Sequence, residues 1–223
     1  MKKVLVISVH ADDEVLGCGA TLIKHNQSGD SIYWLIVTTP EGKYPQAFCE
    51  KRKEQIAAVK SMLKIEEVFY SNVITTTLDE SKLGSLIASL SDVLREVQPN
   101  IIYMPNRTDI HTDHQVVAKA VISATKSFRA PSSLEKILMM EVISETEQMP
   151  AFPETMFMPN VYSVFKQDIL KKKESIWDIY AETEGQIYPQ PRCWGSIEAL
   201  ARYRGATVSA EYAEAFMLVK EIV

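Results

Sequence analysis

Four histidines, three cysteines and a shortage of basic charge set the first bounds on this chain of 223 residues. The 24 lysines and arginines stand against 29 acidic residues, a formal net charge of -5. No basic excess is available to grip a polyanion, so nucleic acid is not an expected partner. Cys18, Cys49 and Cys193 are odd in number, far apart and free of any Cys-x-x-Cys pairing. They read as reduced thiols in a cytoplasmic protein rather than a disulfide framework. No apolar run approaches the roughly 20 residues that cross a bilayer. Met1-Lys2-Lys3 leads into a short strand-like stretch and then into histidine and acids, unlike a signal peptide. With no internal repeat, low-complexity tract or linker, residues 1–223 are expected to form one domain.

Short β-branched runs alternate with helical patterns, the signature of a mostly parallel sheet covered by helices in an α/β fold. Strands are expected at Val4–Val9, Ile32–Thr38, Val68–Tyr70, Ile101–Met104, Ile137–Val142 and Val161–Phe165. Helices are expected at Glu14–Gln27, Phe48–Leu63, Leu83–Val97, His114–Ala124 and Ile169–Tyr180. The third of these carries Leu83, Leu86, Ile87, Leu90, Val93, Leu94 and Val97 at helical spacing. Met149–Asn160, rich in Pro, Met and Phe, cannot be a long helix. Loop packing, a lid over a site and a subunit contact all fit its composition.

Three of the four histidines fall in two clusters, each directly after an apolar strand: His10-Ala11-Asp12-Asp13-Glu14, and Asp109-Ile110-His111-Thr112-Asp113-His114. Open α/β folds place their chemistry at the carboxyl ends of such strands. His10 at its strand end, Asp13 in the turn into a helix and His114 at the start of another can converge on one cation. Two imidazoles and one carboxylate leave a fourth position open, the pattern of a catalytic zinc site. Nitrogen and oxygen donors also admit iron, cobalt or manganese. Asp12, beside a ligand, is placed to act as general base on metal-bound water. His111, one turn from His114, leans toward the same cavity; a carboxylate from Asp113 or Asp109 on its other nitrogen would hold it as imidazolium, suited to an oxyanion.

Acidic residues at a helix start have a purely structural account, since they complement the dipole and cap free amides. Two such clusters, each after a strand, are what favour a metal site. Gly17 and Gly19 suggest a dinucleotide fingerprint, but they come late, Leu22 stands where a third glycine belongs, and three carboxylates would repel a pyrophosphate. They fit close helix–sheet packing, with Cys18 as a core thiol. A nucleotide-binding module holding magnesium on its acidic turn, without hydrolysis, is the alternative function.

The two clusters resemble the paired motifs of the LmbE-like, PIG-L family of zinc-dependent de-N-acetylases, and the run from Arg204 to Phe216 is similar to that family's ending. The resemblance implies a Rossmann-like three-layer sandwich with zinc at the sheet's carboxyl edge, and a cytoplasmic hydrolase that removes N-acetyl groups from glucosamine-type sugars or their conjugates. It also implies a trimer or hexamer acting on a small molecule, and the lack of any polybasic or transmembrane anchor argues against a membrane or a lipid-embedded substrate. By position it assigns His10, Asp13 and His114 to the metal, Asp12 to the general base, His111 to transition-state stabilisation and Asp113 to orienting His111. Arg52 falls where the family often has a substrate-contacting arginine. Pro191-Arg192 resembles a His-Pro-Arg segment of some bacterial members; Gln190 replaces the histidine, and Arg192 remains a substrate-binding candidate. Ala11 and Thr112 stand where proline is more frequent, positions that ligate nothing.

Overall fold

A strand flanked on both sides by parallel neighbours and covered on both faces must be apolar along its length. β1 (Lys3–Ser8) meets that condition: Val4 to Ser8 are all buried. In the computed structural model, which describes residues 1–223, β1 pairs in parallel with β2 (Ser31–Thr39) and with β4 (Ile101–Met104). β3 (Glu67–Ile74) adds beyond β2 and β5 (Lys136–Met140) beyond β4, again in parallel. Two antiparallel strands, β6 (Val161–Phe165) and β7 (Tyr212–Glu221), complete a seven-stranded sheet of order β3-β2-β1-β4-β5-β7-β6. The chain winds outward from β1 and then returns to start again at β4. The crevice between β1 and β4 is therefore the topological switch point, where such sheets bind ligands. Both histidine clusters follow these two strands.

Helices cover both faces, giving the α/β three-layer sandwich expected. One core joins α1 (Asp13–Gln27), α2 (Gln46–Met62), α5 (Gln167–Ala181) and α6 (Trp194–Ala206) to the sheet through residues such as Ile23, Ile56, Trp177 and Ile197. The other joins α3 (Leu83–Val97) and α4 (Thr112–Ala124) through Leu86, Leu90 and Val121. The amphipathic stripe of α3 is buried at Leu86, Leu90, Val93, Leu94 and Val97.

α1 is broken at Cys18, whose φ of -149° and ψ of 19° are not helical. The freed amides of Ala20 and Thr21 donate to the Glu214 carboxylate at 2.8 and 2.7 Å. Lys173 ties that carboxylate to the first half by donating to Glu214 Oε1 and to the Leu16 carbonyl. Cys18 is a fully buried core thiol. Gly17 permits close packing on the sheet, because a Cβ there would lie 2.9 Å from Met140 Cβ. The same expectation fails for Gly19, where the nearest contact would be an ordinary 3.5 Å.

Two elements of the last third went unforeseen. α6 buries only Ile197, Ala201 and Gly205, a stripe too narrow and small-sided to stand out as amphipathic. β7 carries the buried Glu214 within its apolar run, which interrupts the pattern of a core strand. β3 extends past the expected Val68–Tyr70 because, as an edge strand, it alternates with exposed polar residues.

Candidate metal centre and catalytic cavity

The turn after β1 folds back on itself because Asp13 Oδ2 accepts the amides of Val9 and His10 at 2.8 and 2.9 Å. That turn brings His10 to the fully buried His114 in the first turn of α4. His114 Nε2 lies 3.4 Å from His10 Nδ1 and 3.5 Å from Asp13 Oδ2. Ligands at about 2.0–2.1 Å around one tetrahedral zinc are separated by about 3.4 Å. These two spacings match a shared coordination shell, and the ligand atoms of His10, Asp13 and His114 all lie within 4.8 Å of one another. On its far side His114 Nδ1 meets Asp109 Oδ2 at 2.8 Å, and Asp109 Oδ1 accepts the Thr146 hydroxyl at 2.7 Å. A carboxylate there keeps the proton on Nδ1 and turns the Nε2 lone pair toward the centre. Burial works to lower the His114 pKa, but Asp13 and Asp109 outweigh it and raise it to about 9. Two imidazole nitrogens and a carboxylate oxygen facing one another form a donor set suited to a divalent cation.

Asp12 is buried beside this trio. Its Oδ2 lies 3.3 Å from Arg192 Nη1. The same guanidinium donates to Glu184 Oε2 and Glu145 Oε1, each at 3.0 Å, and to Ser144 Oγ at 2.7 Å. Arg192 therefore reaches the site, yet protein acceptors already occupy it, and its geometry suits holding Asp12 in place. Burial acts to lower the Arg192 pKa, and the carboxylates of Asp12, Glu184 and Glu145 reverse this and raise it. Arg52 is similarly engaged: it donates to the Ala11 carbonyl and to Glu184, between the rings of Phe48 and Tyr180, each 5.3 Å away. Behind Asp12 sits the fully buried Glu14, which accepts Asp12 N at 3.1 Å, Ser8 Oγ at 3.2 Å and the Tyr180 hydroxyl at 2.8 Å. Burial, reinforced by Asp12, raises its pKa to about 8 despite those donors.

His111 and Asp113 depart from expectation. Asp113 does not orient the His111 ring. Its carboxylate accepts the amides of Thr76 at 2.6 Å and Leu78 at 3.2 Å, and stands 3.7 Å from His10 Nε2. Two backbone donors from the loop after β3 claim the carboxylate, so it braces that loop and faces His10. His111 is instead the N-cap of α4, where its Nδ1 accepts the amide of Asp113 at 3.2 Å. An accepting Nδ1 leaves the hydrogen on Nε2, the free edge of the ring. Burial, with His10 and His114 nearby, lowers the His111 pKa to about 4. The ring is neutral at pH 7, a donor through Nε2 and not the imidazolium expected.

Beside these groups lies a cavity of about 560 Å³, lined by His10, Asp12, His111, Arg52 and Arg192 among others. The loop Thr39–Tyr44 contributes to its wall, whereas no residue of Met149–Asn160 does. The latter segment is bound to the loop after β4, where Thr108 Oγ1 donates to the Thr155 carbonyl. It is not a lid on this cavity. Glu184 and Glu145 escaped the sequence reading. Each lies in irregular chain with no motif around it, and only the fold brings them to Arg192. Glu14 was read with the acidic cluster, but nothing local marked it as buried.

A family model described as PIG-L: GlcNAc-PI de-N-acetylase matches residues 5–125, a span holding both histidine clusters. The chain belongs to the PIG-L family. It is 26% identical over 177 residues to the uncharacterized deacetylase YaiS of Escherichia coli (strain K12), covering 77% of this chain and 86% of the relative. The structure resembles N,N'-diacetylchitobiose deacetylase from Pyrococcus horikoshii, with a TM-score of 0.77 at 19% identity over 98% of this chain and 84% of that one. It also resembles GalB, the 4-carboxy-2-hydroxymuconate hydratase of Pseudomonas putida KT2440, with a TM-score of 0.70 at 19% identity over 100% and 98%. At such identities the likeness is one of fold. A hydratase on the same scaffold means that the reaction must be argued from the site.

Proposed function

We propose that this PIG-L family protein is a metal-dependent N-deacetylase that hydrolyses the acetamide of an N-acetylated amino sugar or sugar conjugate, releasing acetate and a free amine. One observation supports the reading: ligand atoms of His10, Asp13 and His114 lie within 4.8 Å of one another, with Asp12 and His111 lining the cavity beside them. Their mixed nitrogen and oxygen donors suit zinc, and a cation held there supplies Lewis acidity and makes water a competent nucleophile near neutral pH.

The protein's own groups account for the remaining steps. Asp12 takes a proton from the attacking water as oxygen adds to the acetyl carbon, and later passes it to the nitrogen as the C–N bond breaks. Arg192 holds the Asp12 carboxylate through both steps. The developing oxyanion receives the Nε2–H of His111; a neutral donor that needs no ionisation serves across a wide pH range. Asp113 contributes at one remove, holding the loop at Thr76 and facing His10. Arg52 shapes the cavity wall. The magnesium-nucleotide alternative is disfavoured because Asp13 and Glu14 sit in the first turn of α1, where phosphate oxygens would need free amides.

Metal-free protein reloaded with zinc should release amine from at least one member of a panel of N-acetylated sugars, and a chelator should abolish the release. Stoichiometric zinc without turnover on any N-acetyl sugar would overturn the reading.

A further inference from the structure

The cavity wall has an order that the chemistry at the metal trio does not use. Arg52 Nη1 touches the Ala11 carbonyl, inside the turn that carries His10 and Asp12. One helical turn back along α2, the Phe48 ring lies 5.3 Å from the Arg52 guanidinium. Another four residues back, Tyr44 stacks on Phe48 with centroids 4.7 Å apart and planes at 22°. The series Arg52, Phe48, Tyr44 therefore runs outward from the catalytic turn. It ends on an aromatic residue that lines the cavity and is 44% exposed. Polar side chains complete the wall around it, Thr39, Asn72 and Thr75 among them.

The charge of this wall is balanced. Its three cations are Arg52, Lys53 and Arg192, and its three carboxylates are Asp12, Glu41 and Glu184. Arg52 binds Glu184, Arg192 binds Glu184 and Asp12, and Lys53 binds Glu41 at 2.6 Å. The Lys53–Glu41 pair is exposed and weak, but it adds no net charge. Lys43, at the same rim, donates to the Thr76 hydroxyl. Both guanidiniums of this wall are already paired with carboxylates, whereas the Lys43 ammonium at the rim meets only a hydroxyl. An uncharged ring finds an aromatic face rimmed by hydroxyl and amide groups, and a volume at the scale of a ligand larger than a single ring.

We propose that Tyr44 is a specificity residue that stacks an uncharged second sugar ring, so that the preferred substrate is a neutral glycoside of an N-acetylated amino sugar and not a sugar phosphate. The proposal rests on the deacetylase reading for the orientation of the substrate, with the acetamide at the metal trio and the second ring outward. Tyr44 takes no part in bond making, so its removal acts on binding.

Binding is read by titration calorimetry on zinc-loaded protein carrying Asp12→Asn to prevent turnover. The probes are N-acetylglucosamine, its β-1,4-linked disaccharide and its 1-phosphate. Kinetics on the same probes use the protein with Asp12 intact. The disaccharide should bind about three- to tenfold more tightly than the monosaccharide, the margin of one ring stack. Tyr44→Ala should erase that margin while leaving monosaccharide affinity within about twofold, and Tyr44→Phe should keep it. In kinetics the loss should fall on KM with kcat little changed. The 1-phosphate should bind no better than the monosaccharide. A disaccharide margin that survives Tyr44→Ala, or preferential binding of the phosphate, would overturn the proposal. Amine release without any Tyr44 effect sinks it alone; the expected binding pattern without amine release from any sugar sinks the deacetylase reading and leaves the subsite standing.

Discussion

Asp12 and His111 differ in how the fold holds them, and that difference sets what their loss should do. Asp12 is held by Arg192 and, through its amide, by Glu14, so Asp12→Asn keeps an acceptor for Arg192 and the backbone tether while removing the proposed base and its share of the ion pair. Turnover should fall by about 10²–10⁴-fold, the usual worth of a positioned base, with bound zinc unchanged by metal analysis. His111 donates from a neutral ring fixed by its capping bond, so His111→Ala should lower kcat by about 10²–10³-fold and leave KM nearly unchanged. An increase in KM alone would make it a binding residue. Both positions were legible in the sequence as residues beside a candidate metal site. The tautomer and charge of His111 were not, because they follow from the Asp113 amide and from burial.

At the scale of elements, α1 approaches the sheet closely next to the turn that carries His10 and Asp12. A Cβ at Gly17 would meet Met140 Cβ at 2.9 Å and Val142 Cγ2 at 3.2 Å. Gly17→Ala should therefore destabilise the protein by about 1–3 kcal/mol through overpacking. Gly84 in α3 has open space around it. Gly84→Ala should do the opposite, adding about 0.5–1 kcal/mol by helix propensity. Urea unfolding of the two variants beside the parent measures both signs. The sequence contained two glycines near the same turn and suggested one role for both; only the packing distance separates Gly17 from Gly19. The elements lost to sequence reading, α6 and β7, were hidden for a related reason. Small residues and a buried carboxylate are unremarkable until a partner surface is known.

For the molecule as a whole, Glu14 makes stability depend on pH in a direction opposite to an ordinary ion-paired acid. Its folded-state pKa is raised from 4.5 to about 8. Between those values the folded state binds the proton that the unfolded chain has lost. The contribution is thus most favourable at and below about pH 4.5 and declines as pH rises toward 8. In the metal-free protein, Glu14→Gln should flatten this part of the thermal stability profile, because a neutral side chain keeps most of the contacts and carries no ionisation. A slope unchanged by the substitution would remove Glu14 as its source. Zinc should in turn raise the melting temperature of the parent, since it binds the folded state only, and a chelator should reverse the gain.

From sequence alone came the period of apolar runs, hence a mostly parallel sheet with helices on both faces, and the placement of two histidine clusters just past strands. Those features are local: a side-chain alternation or a strand followed by acids can be read within a dozen residues. Which strands lie side by side, that Arg192 crosses to Asp12 and Glu184, and that Asp113 serves Thr76 instead of His111 are properties of contacts between distant segments. They depend on burial and on competition among donors for each acceptor, quantities that exist only once the chain has folded.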